Sequence, residues 1–155
     1  MPNIEEWYEF GQQQQDIIEP ILINYFGDIE GQSRWSKFDF IGEFINIEVK
    51  SRQGFGLSKY PTTMMSCDKA IEEEGKDLYF VFNFVYDINN NKRQIYFIKY
   101  NKDLFDTFEI TDLEYFDGTC KSHFLIPTSK LTKLYEDIPD KPKCRLNIKK
   151  ILNSH

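Results

Sequence analysis

Three residues in the first third of the chain have types and a spacing that could carry chemistry: Asp39, Glu48 and Lys50. Two carboxylates a few ångströms apart can share one divalent cation, and Mg²⁺ prefers oxygen ligands while keeping several of its waters. An ammonium group beside such a cation can orient a water or stabilise the negative charge that develops on a phosphate. The pattern therefore predicts phosphate chemistry if the fold brings the three side chains together.

A β-hairpin is the element that would position these residues. Residues 36–41 and 44–51 both alternate polar and apolar side chains, which is typical of half-buried strands. Gly42 and Glu43 lie between them, and glycine at the first central position suits a two-residue type II′ turn. The sequence therefore predicts two antiparallel strands joined by a tight turn.

The predicted turn fixes which residues are opposite one another. It pairs Asp39 with Asn46, so that Glu48 is a diagonal neighbour of Asp39, roughly 5–8 Å away. Lys50 lies two residues beyond Glu48 and therefore on the same face. The opposite face is expected to be core and consists of Phe38, Phe40, Ile45, Ile47 and Val49.

A structural role without metal is the alternative for this hairpin face. Two adjacent carboxylates repel each other, and one of them would tend to hold a proton. Lys37 and Lys50 could neutralise them as simple ion pairs on a solvated surface. Because alternating charged strands are common, the spacing alone leaves the metal site and the ion-paired surface both open.

The hydrophobic pattern of the whole chain predicts an α/β fold with a central mixed β-sheet flanked by helices. The first helix is expected over residues 5–26, ahead of the hairpin. The elements expected after the hairpin are a helix capped by Thr62 or Ser66 that runs to Glu74, strands over 78–86 and 94–100, strands near 108–116 and 122–126, and a short helix over 129–135.

Composition excludes several other kinds of site. The chain has 155 residues, 25 acidic and 19 basic, which gives a net charge of −6. Two histidines cannot form a three-histidine zinc site, and the three cysteines contain no C-x-x-C pair for a structural zinc. G-x-x-x-x-G-K-[ST] and G-x-G-x-x-G are both absent, which excludes nucleotide-binding loops of those types. Carboxylates and lysines are therefore the expected carriers of any chemistry.

Location and charge distribution give weaker expectations. The acidic amino terminus lacks the order of a secretory signal, and no run of about 18 apolar residues could span a membrane. Unpaired cysteines favour a reducing compartment, so we expect an intracellular protein, cytoplasmic or nuclear. Net acidity argues weakly against nucleic acid as a partner. The stretch from Lys141 to Lys150 could be a local positive surface or a solvated tail.

The residues also resemble a known family. Asp39, eight intervening residues and then Glu48-Val49-Lys50 resemble the D-x(n)-E-x-K signature of the PD-(D/E)XK nucleases. The order of helix, hairpin, helix and apolar strand over residues 5–100 resembles the restriction-endonuclease-like core of that superfamily. The residues from Glu48 to Arg52 are further similar to small members from phages and large DNA viruses. The resemblance implies one such domain over residues 1–155, with residues 101–155 as a C-terminal extension.

The resemblance implies a nuclease that hydrolyses phosphodiester bonds with Mg²⁺, for which Mn²⁺ can substitute. Asp39, Glu48 and the carbonyl group of Val49 would hold the metal, and Lys50 would position the attacking water. Nucleic acid, most often DNA, would be the partner, and dimerisation is common enough in the superfamily that a homodimer is a further expectation. A catalytically inactive member that serves as a binding or scaffold protein is the alternative.

Two further sets of residues follow from the resemblance. Many members add a carboxylate from the first helix, where this chain offers Gln15 and Glu19, four residues apart on one face. Glu19 would complete the ligand set, whereas Gln15 would be a departure from it. Arg52 is expected to contact the nucleic-acid backbone, and Lys69 could contact a phosphate or be an ordinary surface lysine.

Overall fold

The computed structural model describes residues 4–138 of the chain. Two α-helices and nine strands lie within this range. In chain order they are α1 (Ile4–Phe26), β1 (Ile29–Gly31), β2 (Phe40–Gly42), β3 (Ile45–Gln53), β4 (Thr62–Ser66), β5 (Asp77–Asp87), β6 (Lys92–Lys99), α2 (Lys102–Phe105), β7 (Glu109–Glu114), β8 (Cys120–Pro127) and β9 (Thr132–Glu136). Three short 3₁₀ turns add to these, at Leu57–Lys59, Cys67–Lys69 and Thr128–Lys130.

Six strands form the main sheet in the order β1-β2-β3-β5-β6-β9. The central neighbours β3 and β5 are parallel, and all the other pairs are antiparallel. The predicted α/β class with a mixed sheet is therefore confirmed. Strand β5 is buried along most of its length, as its nearly continuous run of apolar residues predicts.

Different layers cover the two faces of the main sheet. On one face α1 packs through Ile18 and Leu22, both fully buried, against a cluster that includes Phe40 and Ile47. On the other face, where the sequence predicted helices, lies a second sheet of three strands in the order β4-β8-β7, so the prediction of flanking helices holds for one face alone. The core between the two sheets also includes α2. It is rich in phenylalanine, with Phe38, Phe80, Phe82, Phe84, Phe105, Phe108 and Phe124.

Helix α1 matches the predicted helix over residues 5–26 closely. Its buried positions Gln14, Ile18 and Leu22 are four residues apart and face the sheet. Pro20 lies inside the helix, on the side that is exposed to solvent. Gly27 ends the helix with a φ of +88°, and its N–H donates to the carbonyl oxygen of Ile23 at 2.9 Å. This left-handed conformation is the usual reason for glycine at a helix end.

The predicted hairpin exists, but its first strand is shorter and its register differs. The prediction of a strand over 36–41 is wrong for residues 36–39, which form bends, so that β2 begins only at Phe40. Phe40 is opposite Ile47 and not Ile45, which moves the turn to Glu43 and Phe44. A slip of two residues keeps every side chain of β3 on its predicted face, since faces alternate with a period of two.

The face predicted for Phe38 is also wrong. Phe38 belongs to the cluster under the second sheet, whereas Phe40 belongs to the cluster under α1. The alternation of faces is therefore interrupted at Asp39, between the two rings. Gly42 lies where the chain packs too closely for a side chain. A Cβ there would lie 2.7 Å from the Ile45 side chain and 2.8 Å from the carbonyl oxygen of Asp28.

Both helices predicted after the hairpin are wrong. Residues 62–66 form strand β4, which pairs with β8 from Thr62–Pro127 to Ser66–His123, and only a 3₁₀ turn follows. The expected helix over 129–135 is a 3₁₀ turn followed by β9, which joins the edge of the main sheet. In both cases strand pairing at long range outweighs the local helix signal. The threonines in both segments also favour a strand.

The described part of the predicted C-terminal extension is integrated into both sheets. Strands β7 and β8 make up most of the second sheet, and β9 pairs with β6 in the main sheet. The basic stretch from Lys141 to Lys150 lies outside the described residues. Neither helix within residues 4–138 combines the length and the hydropathy needed to cross a lipid bilayer.

Candidate active site

A cavity of about 260 Å³ opens beside β3, at the point where the short strand β2 has not yet begun. Its lining includes four of the residues predicted from the sequence: Asp39, Glu48, Val49 and Lys50. Gln15 of α1 lines the same cavity from the helix side. The convergence that the D-x(n)-E-x-K spacing required is therefore present.

Asp39 lies at the free edge of β3, where a strand partner would otherwise be. Its carboxylate oxygen Oδ2 accepts the N–H of Val49 at 2.7 Å, and its own N–H donates to the carbonyl oxygen of Ile47 at 3.0 Å. The side chain thus replaces one hydrogen bond of the sheet ladder. Because the N–H and C=O of one residue point to the same side of a strand, the Val49 carbonyl faces this edge as well.

Glu48 is almost completely buried, with an exposed fraction of 4%. Its side chain lies on the face of the second sheet, and its Oε1 is 3.4 Å from the Nζ of Lys69. Burial, and after it the nearby charge of Asp39, raise the pKa of Glu48 from 4.5 to about 7. Lys69 and Lys50 act in the opposite direction. The site therefore holds a carboxyl group whose ionised form is less stable than that of an ordinary glutamate.

Lys50 lies two residues beyond Glu48 on the same face of β3. Burial lowers the pKa of the Lys50 ammonium, Glu48 opposes this effect, and Lys69 adds to it. Lys50 therefore lines the cavity within electrostatic reach of Glu48 and Lys69. A group in such a position is well placed to hold a water or an anionic oxygen.

Gln15, and not Glu19, is the residue that α1 presents to the site. The Nε2 of Gln15 donates to Oδ1 of Asp39 at 3.0 Å. Glu19 is one turn further along the helix and points to β1, where its Oε1 lies 3.3 Å from the position that a Cβ of Gly31 would occupy. The placement of Glu19 among the metal ligands is therefore wrong, and the site has two carboxylates. Within residues 4–138, no group of three or more His, Cys, Asp or Glu side chains could hold a metal ion.

The two cations expected to contact nucleic acid are placed differently. Lys69 lies in a 3₁₀ turn after β4 and reaches the site through its ion pair with Glu48. Arg52 turns away from the cavity, since its Nη2 donates to the carbonyl oxygen of Met64 at 2.7 Å. This contact joins β3 to β4, which gives Arg52 a structural role.

A buried polar network, which the sequence did not reveal, holds α1 against the sheet beside the site. The guanidinium group of Arg93, with an exposed fraction of 2%, donates to Gln14 and Asn83. Asn83 in turn donates to the hydroxyl of Ser51 at 3.0 Å. Since Gln14 precedes Gln15 and Ser51 follows Lys50, the network fixes both walls of the cavity. Arg93 lies far away in sequence and has no local pattern that would indicate this role.

The cavity also has an aromatic side that sequence reasoning missed. Trp7, Tyr8 and Phe10 of α1 line it, together with Arg34 from the loop between β1 and β2. A signal for this side of the cavity was present in the sequence. Residues spaced four apart lie on one face of a helix, as Trp7, Gly11 and Gln15 do.

Comparison of this chain with family models, with curated proteins and with solved structures finds no match. The chemistry of the site can still be compared with what a metal requires. The two carboxylates and the Val49 carbonyl are all oxygen donors, which suits Mg²⁺ or Mn²⁺. The raised pKa of Glu48 beside Asp39 is a second sign of fit, since a bound cation would stabilise the ionised form.

Proposed function

We propose that this protein is a metal-dependent nuclease that hydrolyses phosphodiester bonds of nucleic acid, with DNA as the substrate. The observation that carries the proposal is the meeting of Asp39, Glu48 and Lys50 in one solvent-accessible cavity at the free edge of β3. Two acids and an amine in this arrangement match what hydrolysis of a phosphodiester requires. A charge-balanced surface hairpin would not need a buried Glu48.

Each residue has a defined task in this proposal. Asp39, Glu48 and the Val49 carbonyl would hold Mg²⁺, with Mn²⁺ as a substitute. When bound, the metal acidifies a water and screens charge on the phosphate. Lys50 orients the attacking water and stabilises the negative charge that grows on the phosphate oxygens. Lys69 balances the charge of Glu48 from the other side and keeps its carboxylate in place.

The order of elements supports a restriction-endonuclease-like core. Helix α1 is followed by the antiparallel strands β1, β2 and β3, and β5 then runs parallel to β3. The crossover between β3 and β5 departs from the expected pattern, because it contains β4 and a 3₁₀ turn in place of a helix. An intracellular location belongs to the same proposal.

The proposal is tested by cleavage of plasmid and single-stranded DNA with Mg²⁺ or Mn²⁺. We expect cutting with either metal and none in EDTA. Asp39→Asn should cut far more slowly than the wild type, whereas Asp103→Asn, which changes an exposed aspartate of α2, should cut normally. Equal cutting by wild type and Asp39→Asn would show that a contaminant is responsible and would contradict the proposal.

A non-catalytic binding or scaffold protein of the same fold is the second candidate. Protein donors already occupy the two carboxylates, since Gln15 donates to Asp39 and Lys69 pairs with Glu48. Calorimetry with Mn²⁺ separates the candidates. Metal binding with cutting supports the nuclease. Absence of both, or metal binding without cutting, supports the second candidate.

Gln15→Glu gives a further prediction about the metal. A third carboxylate would then face Asp39, and extra negative charge in a metal site raises its affinity for a divalent cation. We expect Mn²⁺ to bind about tenfold more tightly, equivalent to about 1.4 kcal/mol, as measured by calorimetry. Glu19→Gln, which alters a carboxylate outside the cavity, should leave Mn²⁺ affinity unchanged. Weaker binding by Gln15→Glu would contradict the assignment of Gln15 to the metal site.

A further inference from the structure

One tryptophan of the chain lines the candidate active site, and the other lies against Arg34, which lines it too. Trp7 lines the cavity from the first turns of α1 and is 55% exposed, and Trp35 is 86% exposed in the loop between β1 and β2. Exposed apolar side chains that adjoin a cavity can mark a binding site. An exposed Trp7 in the lining, with Trp35 next in the chain to the lining residue Arg34, favours a ligand with flat faces.

The loop that carries Trp35 is fixed in place. Its ends meet where the N–H of Gln32 donates to the carbonyl oxygen of Asp39 at 2.9 Å. Within the loop, the Arg34 guanidinium carbon is 3.9 Å from the centre of the Tyr8 ring and 5.3 Å from that of Trp35. Arg34, which lines the cavity, thus links α1 to the loop and contacts the Trp35 ring.

Gly11 keeps the path from these rings to the site open. Trp7, Gly11 and Gln15 follow one another along one face of α1, and all three line the cavity. Glycine inside a helix costs about 1 kcal/mol relative to alanine, so its presence here needs a reason. A Cβ at Gly11 would meet no atom within 4 Å, so close packing is not that reason. A side chain at this position would instead occupy the groove itself.

The charges around the groove point to stacking as the source of affinity. The start of α1 carries Glu5 and Glu6, and the guanidinium group of Arg34 is already 3.9 Å from Glu5. With a net charge of −6, the protein offers little attraction for the dense phosphate charge of a duplex. Aromatic rings can bind bases only where base faces are free, which they are in single strands.

We propose that this groove binds single-stranded DNA, with bases stacked on Trp7 and Trp35 and the backbone passing over Gly11 to Asp39 and Lys50. The proposal rests on the proposed function, because it names the substrate class of that site. It goes further in one respect: unpaired bases are required, and binding depends on stacking more than on phosphate contacts. The affinity should therefore depend only weakly on salt concentration.

The test measures binding in EDTA, where cutting does not interfere. The probes are a fluorescent oligothymidine and a blunt duplex of the same length, followed by anisotropy, with tryptophan quenching as a second signal. Since the chain has two tryptophans, one lining the groove and one in contact with Arg34 of its lining, quenching reports on this site. We expect preference for the single strand, and about tenfold weaker binding for Trp7→Ala and for Trp35→Ala.

Two more variants control for folding and for non-specific binding by exposed rings. Gly11→Leu fills the groove with a good helix former, so it should weaken binding without lowering the unfolding temperature. Phe116→Ala removes a ring that is 92% exposed but lies in the turn between β7 and β8, and it should bind as the wild type does. Wild-type affinity in both tryptophan variants, or equal affinity for duplex and single strand, would overturn the proposal.

Binding and cutting can fail separately. Single-strand binding that depends on both tryptophans would support the groove even if no DNA were cut in Mn²⁺, a result that would reject only the nuclease. Cutting of duplex DNA by a protein that does not bind the single strand would reject the groove and support the nuclease.

Discussion

Lys50→Met is expected to cut DNA about 10²–10³-fold more slowly than the wild type at saturating Mn²⁺. The lysine is held inside the cavity two residues after Glu48, and its charge would act on the phosphate only as negative charge builds up there. A group that acts mainly on the transition state affects the rate much more than it affects binding. The measurement is the rate of cleavage under single-turnover conditions, with DNA affinity determined in EDTA.

The choice of methionine keeps this test specific to the charge. Methionine has a length and flexibility similar to those of lysine, so it can fill the same partly buried space without strain. Lys59→Met changes an exposed lysine in a 3₁₀ turn and should cut at the wild-type rate. A normal rate for Lys50→Met, together with normal folding, would remove Lys50 from the chemistry and would leave only the two acids.

Glu48→Gln is expected to change how the stability of the metal-free protein depends on pH. The pKa of Glu48 is about 7 in the folded protein, compared with 4.5 for an ordinary glutamate. Below pH 4.5 the group is protonated in both states, and its contribution to stability is fully present. Between pH 4.5 and about 7 only the unfolded state has released the proton, so the free energy of unfolding falls as pH rises. The loss is about 3 kcal/mol when complete.

Glutamine imitates the protonated acid at every pH and so lacks this loss. Urea unfolding of both proteins in EDTA, from pH 4.5 to about pH 8, should show Glu48→Gln gaining about 3 kcal/mol relative to the wild type. Glu43→Gln, which alters an exposed glutamate in the hairpin turn, should run parallel to the wild type. Parallel curves for Glu48→Gln and wild type would show that Glu48 ionises as an ordinary exposed glutamate does.

Metal should reverse the loss of stability that ionisation of Glu48 causes in the wild type. A cation that binds the ionised pair stabilises the folded state, and it does so most where Glu48 has lost its proton. Added Mn²⁺ should therefore raise the unfolding temperature of the wild type more at pH 8 than at pH 5. Glu48→Gln should show little response at either pH.

Strand β3 and the helix before it could be predicted because their patterns are local. The alternation of Ile45, Ile47 and Val49 with polar residues defines a strand with two distinct faces, whatever its partner. For the same reason Glu48 and Lys50 were placed correctly on one face. The predicted register was two residues off, and this error had no effect on either face.

The chain after β3 was predicted less well because its elements depend on distant partners. Residues 62–66 could cap and start a helix, but they form a strand because β8, about 60 residues later, supplies its hydrogen bonds. The same holds for β9, which the edge of β6 draws into the main sheet. Patterns of sequence describe the preference of a segment and not the partners available to it.

The sequence by itself determined the strand that carries Glu48 and Lys50, the helix ahead of it, and the likeness of their spacing to a metal site. Only the tertiary structure decided which residue of α1 meets Asp39, because Gln15 and Glu19 are one turn apart and the packing of Ile18 and Leu22 sets the rotation of the helix. It also decided that Asp39 closes the free edge of β3, since that position depends on where β2 starts. Long-range packing fixes both features, and no local pattern contains it.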